Sequence, residues 1–240
     1  MNHRDDRDND DDSSDHRGGH AAAPARPRPP APPARPQVPT REEIALLDVF
    51  EGLGPRDIMV VATAQQAAEA LAALGALRVV GFDTESKPTF LKNEVSSGPH
   101  VVQFAALDRA WVFQLHDPDC RAAAAHLIAS SALTKVGFGL AGDRTQIRHT
   151  LGIEPQAVVD LDTVFKRRGY RNSVGVKGAV AMVFRQRFLK SRKQTTSNWA
   201  ARHLSEGQVC YAANDAYAAL RVSEAMGLDA PSLTPLPLSV

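Results

Sequence analysis

The 240 residues carry a formal net charge of +1 and are 43% hydrophobic, enough to bury one catalytic-size core but not two full domains beside an unstructured segment. That balance excludes a histone-like polycation and an acidic solvating chain, so any grip on nucleic acid must come from a local patch. Cys120 and Cys210 belong to no CxxC or Cys/His cluster, which argues against a zinc site or disulfide scaffold. With no apolar signal region and no long uncharged apolar run, a soluble, cytoplasmic protein with no membrane partner is expected.

Residues 1–40 join RDDRDNDDDSSDHR to APARPRPPAPPARP. They hold almost nothing that could offset the entropy of ordering, and read as a disordered tail through which a separate protein partner could be met. Globular texture runs over 41–228, and 229–240 read as a Pro-rich tail. Within the globular part, a strand over 58–63, a helix over 64–74 and a strand over 78–83 come first. Two apolar-rich runs, 100–107 and 110–115, read as a hairpin around Asp108-Arg109. A helix over 121–130, a strand over 135–138, a helix over 143–151 and a short strand over 158–160 follow, and 161–226 read as almost all helix. The fold class is α/β: a mixed β-sheet flanked by helices, with a helical C-terminal third.

The strand over 78–83 runs on into Thr84 and Glu85, so Asp83 and Glu85, two residues apart, project from one face. Like charges side by side at the end of an apolar strand are costly unless a cation or protons compensate, and a divalent metal is the natural compensator. Asp143, in GFGLAGDRTQIRHTLG, shares a helical face with Ile147 and Leu151. Ser205 with Gln208 fits a capping box that starts another helix, on which Tyr211 and Asp215 stand at i and i+4 facing the interior. Asp160 and Asp162 are expected to cap a helix rather than build a second metal site, and Gln103 and His149 receive no role.

The blocks VVGFDTES, KVGFGLAGDRTQIRH and YAANDAYAALRV occur in the order and approximate spacing of the three exonuclease motifs of the DEDD superfamily. The chain resembles its tyrosine branch, the ribonuclease D and Werner-syndrome exonuclease-domain group. A histidine-type member would have His at position 210, which is Cys210, whereas a tyrosine-type member has Tyr at 211. The stretch LKSRKQTTSNWAARHLSEGQ also looks like that group. One departure is Ser86, followed by Lys87-Pro88, where relatives often carry a tryptophan after the first motif.

The resemblance implies an RNase H-like fold and a 3′–5′ exonuclease that uses two divalent ions, Mg²⁺ or Mn²⁺, on single-stranded or 3′-ended DNA or RNA. By the same resemblance, Asp83 would bridge the ions, Glu85 and Asp215 would complete the nucleophile-side ion, and Asp143 would hold the other. Tyr211 would orient the attacking water by hydrogen bonding, since a phenol is a poor base at neutral pH. Thr84 and the basic cluster Arg185, Arg187, Lys190, Arg192 and Lys193, with Trp199 as a stacking or packing group, are the candidate nucleic-acid contacts. A catalytically weak or inactive nucleic-acid-binding scaffold on the same fold is the alternative, and an endonuclease of RNase H type is a third. No helicase or further nucleic-acid-binding domain is recognisable after Met226, so the unit is expected to act alone or with a separate partner.

Overall fold

A computed structural model describes residues 36–89 and 96–228; positions 1–35 of the N-terminal tail and all of the C-terminal tail lie outside the described residues. Helix α1 (Arg41–Ala45) opens on a Thr40/Glu43 capping box and leads to β1 (Asp48–Val49) and a 3₁₀ turn at Pro55–Asp57. Then come β2 (Ile58–Val61), α2 (Ala64–Gly75), β3 (Val79–Glu85), β4 (Val101–Ala105), β5 (Ala110–Gln114) and α3 (Pro118–Ala129). Next are β6 (Thr134–Gly137), α4 (Ala141–Leu151), β7 (Val158–Asp160), α5 (Leu161–Arg167), α6 (Gly175–Phe184), β8 (Gln186–Arg187), α7 (Arg192–Thr195) and α8 (Glu206–Ala225). Among the described residues no helix is long and apolar enough to cross a membrane.

The main sheet has the order β2-β5-β4-β3-β6-β7, with β3, β4 and β5 antiparallel neighbours and the outer pairings parallel. This is the mixed sheet expected from the alternation of strand and helix patterns. Every residue of β4 and β5 is buried because helices cover both faces. On one face Phe82, Phe104 and Phe113, with ring centroids 5.4 and 5.6 Å apart in succession, pack with residues of α2 and α3 such as Leu74 and Leu127. Burying each such ring contributes about 1.5–3 kcal/mol. On the other face Val101, Ala105, Ala110 and Val112 meet α6 and α8.

Strand alternation divides β3 between the two layers. Val80 and Phe82 enter the α2/α3 layer, so Gly81, Asp83 and Glu85 face α8. Helix α8 can lie against them because it presents Ala212, Ala213, Ala216 and Ala219, and because a Cβ on Gly81 would fall on the Ala216 carbonyl. The close approach brings Asp215 to the end of β3.

Two expectations are corrected. Residues 161–226 are not almost all helix: Gly169 at φ 95° follows α5, and Arg185, left-handed at φ 57°, ends α6 and turns the chain into β8. Strand β8 pairs in parallel with β1, a small sheet that two-residue strands leave unreadable in the sequence. Helix α3 also starts three residues before 121, because the Asp117 side chain accepts from the Asp119 and Cys120 amides, at 3.0 and 2.9 Å, and Pro118 suits the first helical turn.

Candidate active site

Three elements supply the four acids. Asp83 and Glu85 come from the end of β3 and Asp215 from α8, and one carboxylate oxygen of each lies within 4.8 Å of the others. Asp143, in the first turn of α4, is tied to this group by Thr84, whose hydroxyl donates to Asp143 Oδ1. Asp160 fixes where α4 starts: its carboxylate accepts from the Gly139 and Leu140 amides at 3.1 and 2.9 Å, and also from Asp162 N as the cap of α5. Asp162 accepts from the Val174 and Gly175 amides, both at 2.8 Å, and so holds the start of α6. Both acids therefore organise backbone, as the sequence reading expected. A cavity of about 210 Å³ opens at Asp83 and Asp215, walled by Phe138, Gly139, Val176 and Lys190.

Burial and mutual repulsion dominate the electrostatics. Burial raises the Asp83 carboxyl well above the usual carboxylate range, and the charges of Asp215, Glu85 and Asp143 raise it further. Glu85 is pushed up to about 8, first by burial and then by Asp215. Burial also raises Asp143 and Asp215, opposed by the Thr84 hydrogen bond at the first and by Lys190 at the second. Asp215 is only 5% exposed and neither of its oxygens accepts a well-directed hydrogen bond, although Lys190 Nζ forms an ion pair with Oδ2 at 2.7 Å. A crowded set of hard oxygen donors with free lone pairs is the donor chemistry that a divalent cation such as Mg²⁺ or Mn²⁺ takes, so the residues fit such an ion.

Tyr211 stands one turn before Asp215, almost buried, with its phenol oxygen 3.0 Å from Thr195 Oγ1. Burial and then the Asp215 charge push the phenol up to about 12. Among the candidate nucleic-acid contacts, the roles of Trp199 and Arg187 are corrected. Trp199 is 1% exposed and packs 5.9 Å from the Tyr211 ring, so no base can stack on it. Arg187 turns inward, with Nε buried and Nη1 3.4 Å from the Ala45 carbonyl, because β8 is held against β1. Lys190 does not lie on a solvated face but points into the acid cluster. Arg185, Arg192 and Lys193 are exposed, whereas Thr84 is buried and engaged with Asp143.

The sequence reading gave no role to three groups that the fold brings to the site. Gln103 stands opposite Asp83 in the β3–β4 register, fully buried, and its side-chain oxygen and nitrogen have no partner among the described residues. Asn214, beside Asp215, accepts from Leu53 N at 2.7 Å and donates to Leu53 O at 3.1 Å, clamping α8 to the chain ahead of β2. Ser86 donates to Gln146 Oε1 at 2.8 Å and joins the end of β3 to α4. Gln103 left a trace in the sequence, as an amide inside an otherwise apolar strand, and Ser86 as the departure after the first motif, whereas Asn214 left none. His149 is exposed on α4, away from these contacts.

A family model described as 3′-5′ exonuclease matches residues 58–230. A protein named "3'-5' exonuclease" from Arabidopsis thaliana is 31% identical over 144 residues, 58% of this chain and 49% of that protein. The mouse "Bifunctional 3'-5' exonuclease/ATP-dependent helicase WRN" is 25% identical over 151 residues, 62% of this chain and 11% of that protein, so the chain spans half or less of either relative. Among solved structures, the Aedes aegypti Nibbler EXO domain superposes with a TM-score of 0.63 at 21% identity, covering 77% of this chain and 97% of that one. Escherichia coli RNase D gives a TM-score of 0.61 at 18% identity, over 73% and 45% of the two chains, which shows the same RNase H-like fold. With a family match over most of its length and the three motif acids gathered at one strand end, the chain belongs to the DEDD group of 3′–5′ exonucleases.

Proposed function

We propose that this chain removes nucleotides from the 3′ end of a single-stranded or 3′-ended DNA or RNA strand, releasing nucleoside 5′-monophosphates. The observation that carries this reading is the convergence of Asp83, Glu85 and Asp215 within 4.8 Å, with Asp143 joined to them through Thr84. Two divalent ions, Mg²⁺ or Mn²⁺, would supply an activated water and neutralise charge on the leaving 3′ oxygen. Asp83 would be shared between them, with Glu85 and Asp215 completing one set of ligands and Asp143 the other. Burial equips these carboxylates for the task, since in isolation they hold protons that a bound cation displaces.

Tyr211 positions water. A phenol pushed up to about 12 keeps its proton at neutral pH, so it works through its hydrogen bond while Thr195 fixes its orientation. Arg185, Arg192 and Lys193 offer exposed positive charge for the strand's phosphates. An RNA substrate is supported by a relative of known fold, since RNase D of Trypanosoma brucei, 23% identical with a TM-score of 0.62, is described in complex with RNA U12. Two free cysteines suit a reducing compartment, in keeping with a cytoplasmic location.

The test is digestion of 3′-blocked, 5′-blocked and circular single strands of DNA and RNA, with Mg²⁺, with Mn²⁺ and with chelator. Mononucleotide release that a 3′ block stops and chelator abolishes is expected. Cutting of circles would make the chain an endonuclease, and binding without release would make it a scaffold.

A further inference from the structure

Lys190 is a cation built into a site whose acids call for cations. Its ammonium lies 2.7 Å from Asp215 Oδ2 and 5.2 Å from the centre of the Tyr211 ring. It stems from the connection between β8 and α7, outside any helix or strand, and its side chain is 29% exposed, so a path to solvent exists. Its neighbours Leu189 and Ser191 are exposed, and no backbone ladder fixes the position.

We propose that Lys190 and a divalent ion compete for Asp215, so that the ammonium leaves this carboxylate when metal enters and then turns to a phosphate of the bound strand. The inference rests on the metal-nuclease reading above. Charge balance favours it: four carboxylates neutralise two divalent ions, and Lys190 then adds the single positive charge that matches one phosphodiester. The ion pair and a metal need the same Asp215 oxygen, since the ammonium stands 2.7 Å from Oδ2 of a carboxylate that is almost fully buried. A strand that offers Lys190 a phosphate relieves Asp215 and raises its affinity for metal, and reciprocity then requires metal to raise affinity for the strand.

Mn²⁺ binding to the full chain, measured by titration calorimetry with and without thymidine and uridine 5′-monophosphate, tests this without any turnover. Lys190→Met and Lys190→Gln are expected to bind Mn²⁺ about tenfold more tightly than the wild type, about 1.4 kcal/mol. They should also lose most of the gain that the mononucleotide gives the wild type. Lys190→Arg, which keeps the charge, should retain wild-type affinity. A merely structural lysine would weaken metal binding when replaced. Unchanged or weaker Mn²⁺ affinity in whichever neutral variant folds, as judged by circular dichroism, overturns the proposal while leaving the nuclease reading intact. Absence of Mn²⁺ binding in every form, wild type included, overturns both.

Discussion

Glu85 gives the acid cluster a measurable signature in stability. Its carboxyl has an ordinary value of 4.5 and is pushed up to about 8 in the folded chain, first by burial and then by Asp215. Between these values the folded chain keeps a proton that the unfolded chain has lost. Stability is therefore fully present below the unfolded value and is lost as the pH rises through about 8. At about 1.4 kcal/mol per pH unit the shift corresponds to an upper limit of about 5 kcal/mol. Solvent screening at the partly exposed Glu85 reduces the expectation to about 2–3 kcal/mol. Urea unfolding at about pH 5 and pH 8 in chelator, followed by the fluorescence of the buried Trp111 and Trp199, measures the loss in the wild type and in Glu85→Gln. The wild type should lose about 2–3 kcal/mol more than the variant over this range, and saturating Mn²⁺ should abolish the difference. If the two proteins follow the same pH profile to within about 0.5 kcal/mol, the crowded acids are not charging against one another and the electrostatic reasoning fails.

Three further outcomes follow from the geometry. Gly81→Ala places a methyl on the Ala216 carbonyl and should cost about 3 kcal/mol or more by forcing α8 off the sheet, so an unshifted melting temperature would show that the two are not in close contact. Tyr211→Phe should slow nucleotide release at least about a hundredfold with Mn²⁺ affinity retained; equal turnover would remove the phenol from the reaction. Replacing both Arg192 and Lys193 with Ala should weaken strand binding and flatten the slope of log affinity against log salt by about 1.4, the share of two phosphate contacts on a single strand. A slope identical to the wild type would place the strand elsewhere.

Periodic features of the sequence translated directly into structure. The apolar run of β3 put Asp83 and Glu85 on one face because strand alternation leaves no other choice, and the Ser205/Gln208 capping box set the start of α8 so that Tyr211 and Asp215 fell one turn apart. The short strand expected near 158–160 is β7. Long-range and aperiodic features stayed hidden. The run from Arg185 to Lys193 shows only positive charge in sequence, yet the left-handed turn at Arg185 and the pairing of β8 with β1 send Arg187 inward, Lys190 into the acids and Arg192 to solvent. Trp199 has the composition of a stacking group and the environment of a core residue, a difference set by helix α8 packing over it. The clamp of Asn214 on Leu53 joins positions 161 residues apart, which no local pattern encodes.

Tyr211 and Asp215 ride on one uninterrupted 20-residue helix, about 6 Å apart along its axis. A hydrogen-bonded rod neither stretches nor compresses under small loads, so a slide that brought the aspartate nearer β3 would carry the phenol the same distance. Mutational tuning of either group's position alone is thereby closed off. The stretch between α6 and α8, where Lys190, Arg192 and Lys193 stand, is the part of the site whose side chains can be re-aimed without moving that rod.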